Sequence, residues 1–250
     1  ARPHLFALHA FNVEVGRIRE IVSDPLPGEI RLQWWRDVVN GLRPAEGAGH
    51  PVGAAIMATI EAFRLPVAAF DNLIEARIFD LYNDPMPSLN DLEGYAGETS
   101  SILFQLAAMI LSGGNDPGTA DAAGHAGVAY AITGLLRTLP IHRRRQLYLP
   151  ADILDRHDVH RETIFAGQTT PALRAAIGEL IEIARNHLAS MRQQLANASA
   201  EVKPAFLPLA LVEPMLGKLE APSHDPLNQI AEIPQWRRQW RLWRAARSGV

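Results

Sequence analysis

Apolar residues recur every three or four positions along most of the chain, which is the period of an amphipathic α-helix. No stretch of the sequence shows the sustained alternation with β-branched residues that is typical of a strand. Proline and glycine clusters interrupt the pattern and mark the ends of helices. The predicted helices cover residues 4–21, 29–42, 52–63, 67–83, 89–112, 119–140, 172–198 and 234–247. The pattern therefore predicts an all-α fold.

Two of these helices begin with recognisable capping residues. Ser88 is followed three residues later by Asp91, a variant of the capping box. Thr170 is a good N-cap, and Pro171 is a preferred residue for the first helical position. The sequence has no internal repeat and no linker long enough to separate two domains. We therefore predict a single-domain helical bundle over residues 1–250.

Composition narrows the classes of protein that fit. A chain of 250 residues with 48% hydrophobic residues buries one large core, since a domain of this size removes about 70% of its unfolded surface from water. The longest apolar run, 102–111, is well short of the roughly 20 residues that a spanning helix needs. The absence of cysteine excludes disulfides and thiolate metal sites. A net charge of -3 argues against nucleic acid as a partner. Because the chain starts at Ala1, we expect a trimmed N-terminus.

Four segments share their order and spacing with a known protein family. They are LHAFN at 8–12 with RLQWWR at 31–36, LIE at 73–75 through Asp80 to Tyr95, GVAY at 127–130 with LLR at 135–137 and YLP at 148–150, and Ala184-Arg185. Together they resemble the squalene/phytoene synthase family over about residues 4–200. The resemblance implies a bundle of the isoprenoid synthase type around a central apolar cavity.

The same resemblance implies two aspartate-rich motifs on facing helices. In active members, these carboxylates hold Mg²⁺, which stabilises the departing diphosphate of a prenyl substrate. Aligned on Phe11, the motif positions fall on Gly16, Arg17, Glu20, Thr138 and His142. No Asp or Glu occurs from Ala122 to Ala151, so the second loss does not depend on the alignment. We therefore predict no catalytic residue, no metal ligand and no cofactor; Mg²⁺ would be needed only by an active enzyme.

The replaced positions leave more than one interpretation open. Arginine at a metal position adds repulsion of a few kcal/mol per charge pair at an effective dielectric of about 20. The positions either line a cavity without chemistry, or arginines near them bind a diphosphate or phospholipid head group directly. The arginines concerned are Arg17, Arg19, Arg137 and the run at 143–145. Asp80 and Tyr95 are further candidates for pocket residues, with a core or surface role as the alternative.

Histidines suggest two other metal sites, one at His142 and one at His157 and His160. His142 has no second ligand at a suitable distance along the chain. His157 and His160 lie beside Asp155 and Asp158, which is typical of a metal site but also of an ordinary loop.

The C-terminal helix at 234–247 is rich in tryptophan and arginine. Its tryptophans, Trp236, Trp240 and Trp243, recur at i, i+4 and i+7, and its arginines include Arg237, Arg241 and Arg244. Such a helix fits an anionic membrane surface, where indoles lie at head-group depth and arginines contact phosphates. It also fits a protein partner, because Trp and Arg are enriched at binding hot spots. A third interpretation packs the tryptophans onto the bundle.

A retained scaffold with replaced metal ligands resembles the branch of the family that contains a mitochondrial complex I assembly factor and its bacterial relatives. This resemblance implies a non-catalytic protein that binds an isoprenoid or lipid, or assembles a respiratory complex through contact with one of its subunits. It also implies a cytoplasmic or mitochondrial-matrix location, peripheral to the inner membrane. Two alternatives stay open: an active prenyltransferase that condenses two prenyl diphosphates at an altered metal site, and an interaction scaffold with a filled cavity.

Overall fold

The computed structural model describes residues 1–143 and 146–248, and within these ranges the regular structure is helical without a strand. The α-helices are α1 (Arg2–Gly16), α2 (Ile18–Ile21), α3 (Pro25–Val39), α4 (Pro44–Gly49), α5 (Pro51–Phe63), α6 (Val67–Ala76), α7 (Leu89–Ala96), α8 (Ile102–Leu111), α9 (Ala120–Arg137), α10 (Leu139–His142), α11 (Ala151–Arg156), α12 (Arg161–Phe165), α13 (Pro171–Leu195), α14 (Val212–Leu219) and α15 (Gln235–Ser248). The 3₁₀ helices Phe79–Leu81 and Lys203–Leu211 and the π turn Gly97–Ser101 complete the fold. The all-α prediction is confirmed.

Several predicted helices end earlier than the apolar period suggests. The helix predicted at 4–21 breaks at Arg17, where the Glu20 N–H donates to the Arg17 carbonyl in a tighter i−3 bond of 2.9 Å. The helix predicted at 119–140 ends at Arg137 because Pro140 cannot continue it. The helix predicted at 67–83 ends at Ala76 and is followed by the first 3₁₀ helix. Each early end lies beside a candidate site residue.

The predicted caps are confirmed in atomic detail. The Ser88 hydroxyl accepts a hydrogen bond from the Asp91 backbone N–H at 3.2 Å. The Thr170 hydroxyl accepts one from the Leu173 N–H at 3.1 Å. Because each cap satisfies a backbone donor that the first helical turn leaves free, α7 and α13 begin where the sequence predicts.

Two hydrophobic clusters form the core, with the central cavity where they meet. One cluster joins α1, α3, α5, α6 and α8, and in it the Phe11 ring packs edge-on against Trp35 at 5.4 Å and against Phe70 at 5.5 Å. The other cluster surrounds α9 and α13, the most extensively packed pair of helices in the described residues. The LHAFN and RLQWWR motifs therefore supply the packing of α1 against α3.

One close backbone approach brings α9 against the π turn. A Cβ added at Gly127 would overlap the side chain and backbone of Ser101, so only glycine fits at this position. The Ser101 hydroxyl donates to the Gly124 carbonyl at 2.8 Å and fastens the contact. This approach places Tyr130, one turn further along α9, at the central cavity.

The last helix, α15, lies on the outside of the bundle. It packs mainly along the 3₁₀ helix Lys203–Leu211, and none of its residues is fully buried. No helix in the part of the chain that the structure describes is both long and apolar enough to cross a bilayer.

Candidate functional site

A cavity of about 220 Å³ lies at the centre of the bundle, between α1, α8, α9 and the second 3₁₀ helix. One end is polar and is lined by His9, Asn12, Arg77 and Thr99. The other end is apolar, and there the rings of Phe104 and Phe206 stack at 5.8 Å while Phe104 meets Tyr130 edge-on at the same distance. Large aromatic side chains thus occupy much of the space between the two clusters.

Four side chains from four segments meet beside the polar end; we call them the Asp80 cluster: Arg77, Asp80, Tyr95 and Tyr148. Arg77 Nη1 donates to Asp80 Oδ2 at 3.1 Å and to the Tyr95 hydroxyl at 2.8 Å. Both tyrosine hydroxyls donate to Asp80 Oδ1, Tyr95 at 2.8 Å and Tyr148 at 2.7 Å. The Asp80 carboxylate therefore accepts three hydrogen bonds, one of them from a cation.

Burial and the Asp80 charge together set the protonation of the cluster. Burial is the larger cause that raises the pKa of Tyr148, and the Asp80 carboxylate raises it further. The pKa of Tyr95 is also raised, first by burial, although the Arg77 charge opposes the shift. Burial disfavours the charge of Arg77, but the oxygens of Tyr95 and Asp80 outweigh it and raise its pKa. The tyrosines stay neutral donors and Arg77 stays charged.

The positions that the resemblance assigns to the first aspartate-rich motif hold Gly16, Arg17 and Glu20, of which only Glu20 keeps a carboxylate. A Cβ added at Gly16 would lie 3.9 Å from the guanidinium carbon of Arg77, so a cation lies beside the position to which the motif resemblance assigns a carboxylate. Arg17 and Glu20 are exposed at the junction of α1 and α2. Arg19 donates from Nη2 to Asn83 Oδ1 at 3.3 Å, a contact within the protein.

The positions of the second motif, Thr138 and His142, carry no carboxylate. The Thr138 hydroxyl donates back to the Gly134 carbonyl at 2.7 Å and ends α9. The His142 ring packs edge-on against Tyr148 at 5.6 Å. Burial lowers the pKa of His142, although the charges of Asp80 and Glu20 oppose the shift. His142 is therefore a neutral ring at physiological pH.

These residues do not fit the Mg²⁺ ions that the fold family implies. Mg²⁺ requires several oxygen ligands in octahedral geometry, usually carboxylates. Here Asp80 is taken up by three donors, and Arg77 lies against the position of the lost first motif. No group of three His, Asp or Glu side chains in residues 1–143 and 146–248 is arranged to share an ion.

Arg143, the first residue of the arginine run at 143–145, lies on neither a solvated face nor a phosphate-binding face. Arg143 is buried and donates to three backbone carbonyls, those of Leu227 at 3.0 Å, Ile164 at 3.2 Å and Phe165 at 2.8 Å. Arg143 is thus a structural residue, because its guanidinium donates to carbonyls at the end of α12 and to the Leu227 carbonyl, which lies outside any helix. Residues 144 and 145 lie outside the described residues.

The metal site suggested by His157 and His160 is not formed. His157 Nε2 lies 2.7 Å from Glu179 Oε2 on α13, while His160 occupies the N-cap position of α12. Asp155 is exposed on α11, and Asp158 adopts a left-handed turn with φ of 54°. The spacing instead serves the docking of α11 on α13.

A larger groove of about 490 Å³ lies under α15, on the far side of Tyr130 from the central cavity. Its floor is apolar and includes Leu211, Val212 and Met215. Arg137 and Arg238 stand at its walls, and Arg137 Nε donates to the Ala231 carbonyl at 3.2 Å. Tyr130 and Pro208 line both the groove and the central cavity.

The tryptophans of α15 do not pack onto the bundle. Trp236, Trp240 and Trp243 are 67%, 50% and 53% exposed. Each ring has an arginine guanidinium over it, Arg237 at 5.1 Å, Arg244 at 5.6 Å and Arg247 at 4.0 Å from the ring centroids. The predicted aromatic stripe beside a basic face is therefore present as an exposed surface.

The sequence pointed to Asp80 and Tyr95 as candidate site residues but not to Arg77, which donates hydrogen bonds to both of them. A cation three residues before Asp80 is the one local signal, because i and i+3 share a helix face. Tyr148 was visible only as part of the YLP motif. The groove under α15 has no signature in the sequence, since three separate stretches of the chain, 130–137, 208–215 and 232–242, build it.

Comparison with known proteins places this geometry in a family. A profile described as squalene/phytoene synthase matches residues 1–244. The rat protein "NADH dehydrogenase (ubiquinone) complex I, assembly factor 6" is 29% identical over 243 residues, which cover 94% of this chain and 73% of the relative. The human protein of that name is 28% identical over 249 residues, or 96% and 74% of the two chains. A phytoene synthase of Thermus thermophilus is 30% identical over 210 residues, or 82% and 70%.

Solved structures agree on the fold. The squalene synthase HpnC of Alicyclobacillus acidocaldarius superposes with a TM-score of 0.72 at 20% identity, covering 86% of this chain and 81% of that one. A dehydrosqualene synthase in complex with ligand superposes with a TM-score of 0.78 at 16% identity, covering 96% and 84%. The expected isoprenoid synthase bundle is thereby confirmed. The chain belongs to the squalene/phytoene synthase family.

Proposed function

We propose that this chain is a non-catalytic member of its family that acts in the assembly of a respiratory complex at a membrane surface. The observation that carries the proposal is the Arg77 guanidinium, which lies against Gly16 where the family's first motif would place a metal-binding carboxylate. Ionisation of a prenyl diphosphate needs divalent cations at that position. A fixed cation there repels them.

The Asp80 cluster supports the loss of catalysis independently. A carboxylate binds Mg²⁺ through lone pairs that are free to face the ion. In Asp80, those lone pairs accept hydrogen bonds from Arg77, Tyr95 and Tyr148. Releasing one oxygen to an ion would leave a buried donor without a partner, at a cost of about 1–3 kcal/mol.

The names of the relatives support the assembly role. The rat and human relatives are complex I assembly factors and align over nearly the whole of this chain. Complex I is NADH dehydrogenase, so the partner that we propose is a subunit or assembly intermediate of that enzyme. The corresponding location is the inner face of the energy-transducing membrane, on the mitochondrial-matrix or cytoplasmic side.

Cavity volume supports the groove under α15, rather than the central cavity, as the position for an isoprenoid or lipid. Ligand pockets for small molecules measure about 300–1,000 Å³. The central cavity of about 220 Å³ falls below that range, and the groove of about 490 Å³ under α15 falls within it. We therefore place a single lipid or isoprenoid chain in the groove, on the apolar floor around Val212, with Arg137 or Arg238 near its head group. The central bundle serves as a scaffold.

Two measurements test this function. Purified protein with labelled farnesyl or geranylgeranyl diphosphate and Mg²⁺ should release no head-to-head product. Disruption of the gene in its own organism should lower the amount of assembled complex I on native gels, and the wild-type chain should restore it. An Arg137→Gln/Arg238→Gln variant should restore it less well than the matched surface variant Arg2→Gln/Arg31→Gln.

Contrary results would separate the alternatives. Turnover to squalene or phytoene would establish the active prenyltransferase and end the proposal. Unchanged complex I after disruption, together with no turnover, would refute the assembly role while leaving the loss of catalysis intact.

A further inference from the structure

We propose that the outer face of α15 is a docking surface for an anionic lipid bilayer. We define this surface by Trp236, Trp240, Trp243, Arg237 and Arg247. It deepens the proposed function by naming the membrane chemistry, and it can be tested without any respiratory complex.

The first step is the orientation of the helix. At about 100° per residue, the mean direction of Leu242 and Ala245 lies about 140° around the helix from the mean direction of Trp236 and Trp243. Leu242 and Ala245 are also the two residues of α15 that are partly buried, whereas the remaining described residues of the helix are exposed. The bundle therefore holds α15 by its short apolar side and leaves the tryptophan side facing outward.

The second step is the chemistry of the exposed side. Tryptophan carries one of the largest apolar surfaces of any residue, about 150–250 Å² when buried. Three half-exposed indoles in one row make a contiguous apolar patch, and such patches mark interaction sites. Indoles favour the depth of lipid head groups, where the ring meets apolar chains and the N–H meets water.

The third step is charge. α15 carries five arginines and no acid. Because the whole chain has a net charge of -3, the rest of the chain carries -8. The ion pairs found among the described residues all lie outside α15. A positive helix on an acidic body presents one cationic side, and a planar anionic surface can contact that side without approaching the acidic body.

The fourth step is the pairing of each ring with a cation. Arg237 lies over Trp236 and Arg247 over Trp243, so each guanidinium is held at the edge of the apolar row. This arrangement lets an arginine contact a phosphate while its ring enters the head-group layer. Protein hot spots are enclosed by a rim of neighbouring residues. The tryptophans here form an open row on a convex helix, which favours a bilayer over a protein pocket.

Docking in this orientation has a consequence for the groove. The inner side of α15, with Arg238 and Leu242, forms part of the groove wall. A docked helix therefore brings the groove within one helix diameter of the lipid head groups, about 10–12 Å. A lipid chain would enter the groove from the membrane side.

Vesicle sedimentation with the full chain tests the proposal. We expect binding to vesicles of phosphatidylcholine mixed with phosphatidylglycerol, and little binding to phosphatidylcholine alone. Each arginine near an anionic surface contributes about fivefold to the partition coefficient, so Arg237→Gln/Arg247→Gln should lower it about 25-fold. Trp236→Ala/Trp240→Ala/Trp243→Ala should abolish sedimentation.

Matched variants elsewhere control for general loss of apolar surface or charge. Leu26→Ala/Ile30→Ala removes exposed apolar side chains from α3, and Arg2→Gln/Arg31→Gln removes two exposed arginines. Both should leave the partition coefficient unchanged, and circular dichroism should show that every variant keeps its helix content.

Three outcomes would overturn the proposal. They are equal binding to neutral and anionic vesicles, no binding to either, and equal loss of binding in the control variants. The second outcome would assign the tryptophan face to a protein partner. Because purified lipid is the only binding partner in this assay, its failure leaves the complex I test of the proposed function unaffected.

Discussion

Replacing Asp80 by asparagine tests the Asp80 cluster directly. The change keeps the size of the side chain but removes the charge that faces Arg77. It also leaves an amide nitrogen, which cannot accept a hydrogen bond, among the donors of Tyr95 and Tyr148. If Asp80 were instead poised for metal, the asparagine variant would be neutral or more stable in metal-free buffer.

The structure sets the expected magnitude. The Arg77 and Asp80 side chains are only 18% and 7% exposed, so solvent screens the pair weakly. Removing one partner of a buried ion pair costs about 3–5 kcal/mol, and we take the lower end because Arg77 keeps its bond to Tyr95. We expect Asp80→Asn to lower the free energy of unfolding by about 3 kcal/mol and the melting temperature by about 6–12 °C.

Urea denaturation followed by far-ultraviolet circular dichroism measures this difference. Asp155→Asn, on the exposed side of α11, is the matched control and should change the free energy of unfolding by less than about 0.5 kcal/mol. The double variant Arg77→Met/Asp80→Asn should be less destabilised than the sum of its single changes, because the two residues are coupled. An Asp80→Asn variant as stable as the control would refute the assignment of the cluster as a structural ion pair.

Three further predictions concern packing, pH and the buried arginine. Gly127→Ala should lower the free energy of unfolding by several kcal/mol, because α9 would have to move away from the π turn. Gly124→Ala, which has open space around it, should be neutral or stabilising by up to about 1 kcal/mol. Similar urea midpoints for the two variants would contradict this prediction. Burial lowers the pKa of His187 and His224 in the folded protein, so the unfolded chain binds protons more readily than the folded one. The free energy of unfolding should therefore fall as pH drops through about 6.5. A flat profile of urea midpoint against pH would contradict this prediction. Arg143→Met should cost about 1–3 kcal/mol by leaving the buried Leu227 carbonyl without a donor, and a thermal melt like that of the wild type would exclude this role.

Local signals in the sequence were sufficient to predict most of the helices of the fold. Ser88 and Thr170 begin helices as predicted, because a cap depends on residues within one turn. The break at Arg17 was missed, since the apolar period continues through it. The prolines within Lys203–Leu211 predict an interruption of the helical pattern but not the 3₁₀ helix found there, because prolines exclude an α-helix without specifying what replaces it.

The candidate site was less accessible to sequence reasoning because its contacts are long-range. Resemblance pointed to Asp80 and Tyr95, but the role of Asp80 depends on Tyr148, which lies 68 residues away in the chain. The sequence offered Arg143 as a candidate for phosphate binding, but its carbonyl partners lie 21 to 84 residues further along. Composition could not reveal that burial, because an arginine run alone does not show which carbonyls need donors.

The measurement that bears most directly on the proposed loss of catalysis is the equilibrium binding of Mn²⁺, a spectroscopic substitute for Mg²⁺. Electron paramagnetic resonance measures this binding in the presence of a non-hydrolysable farnesyl diphosphate analogue. We predict that the protein adds no bound Mn²⁺ beyond what the analogue holds in free solution, because Gly16, Thr138 and His142 replace carboxylates and Arg77 opposes the ions. Saturable binding of several Mn²⁺ ions per chain, dependent on the analogue and lost in Asp80→Asn, would contradict that conclusion.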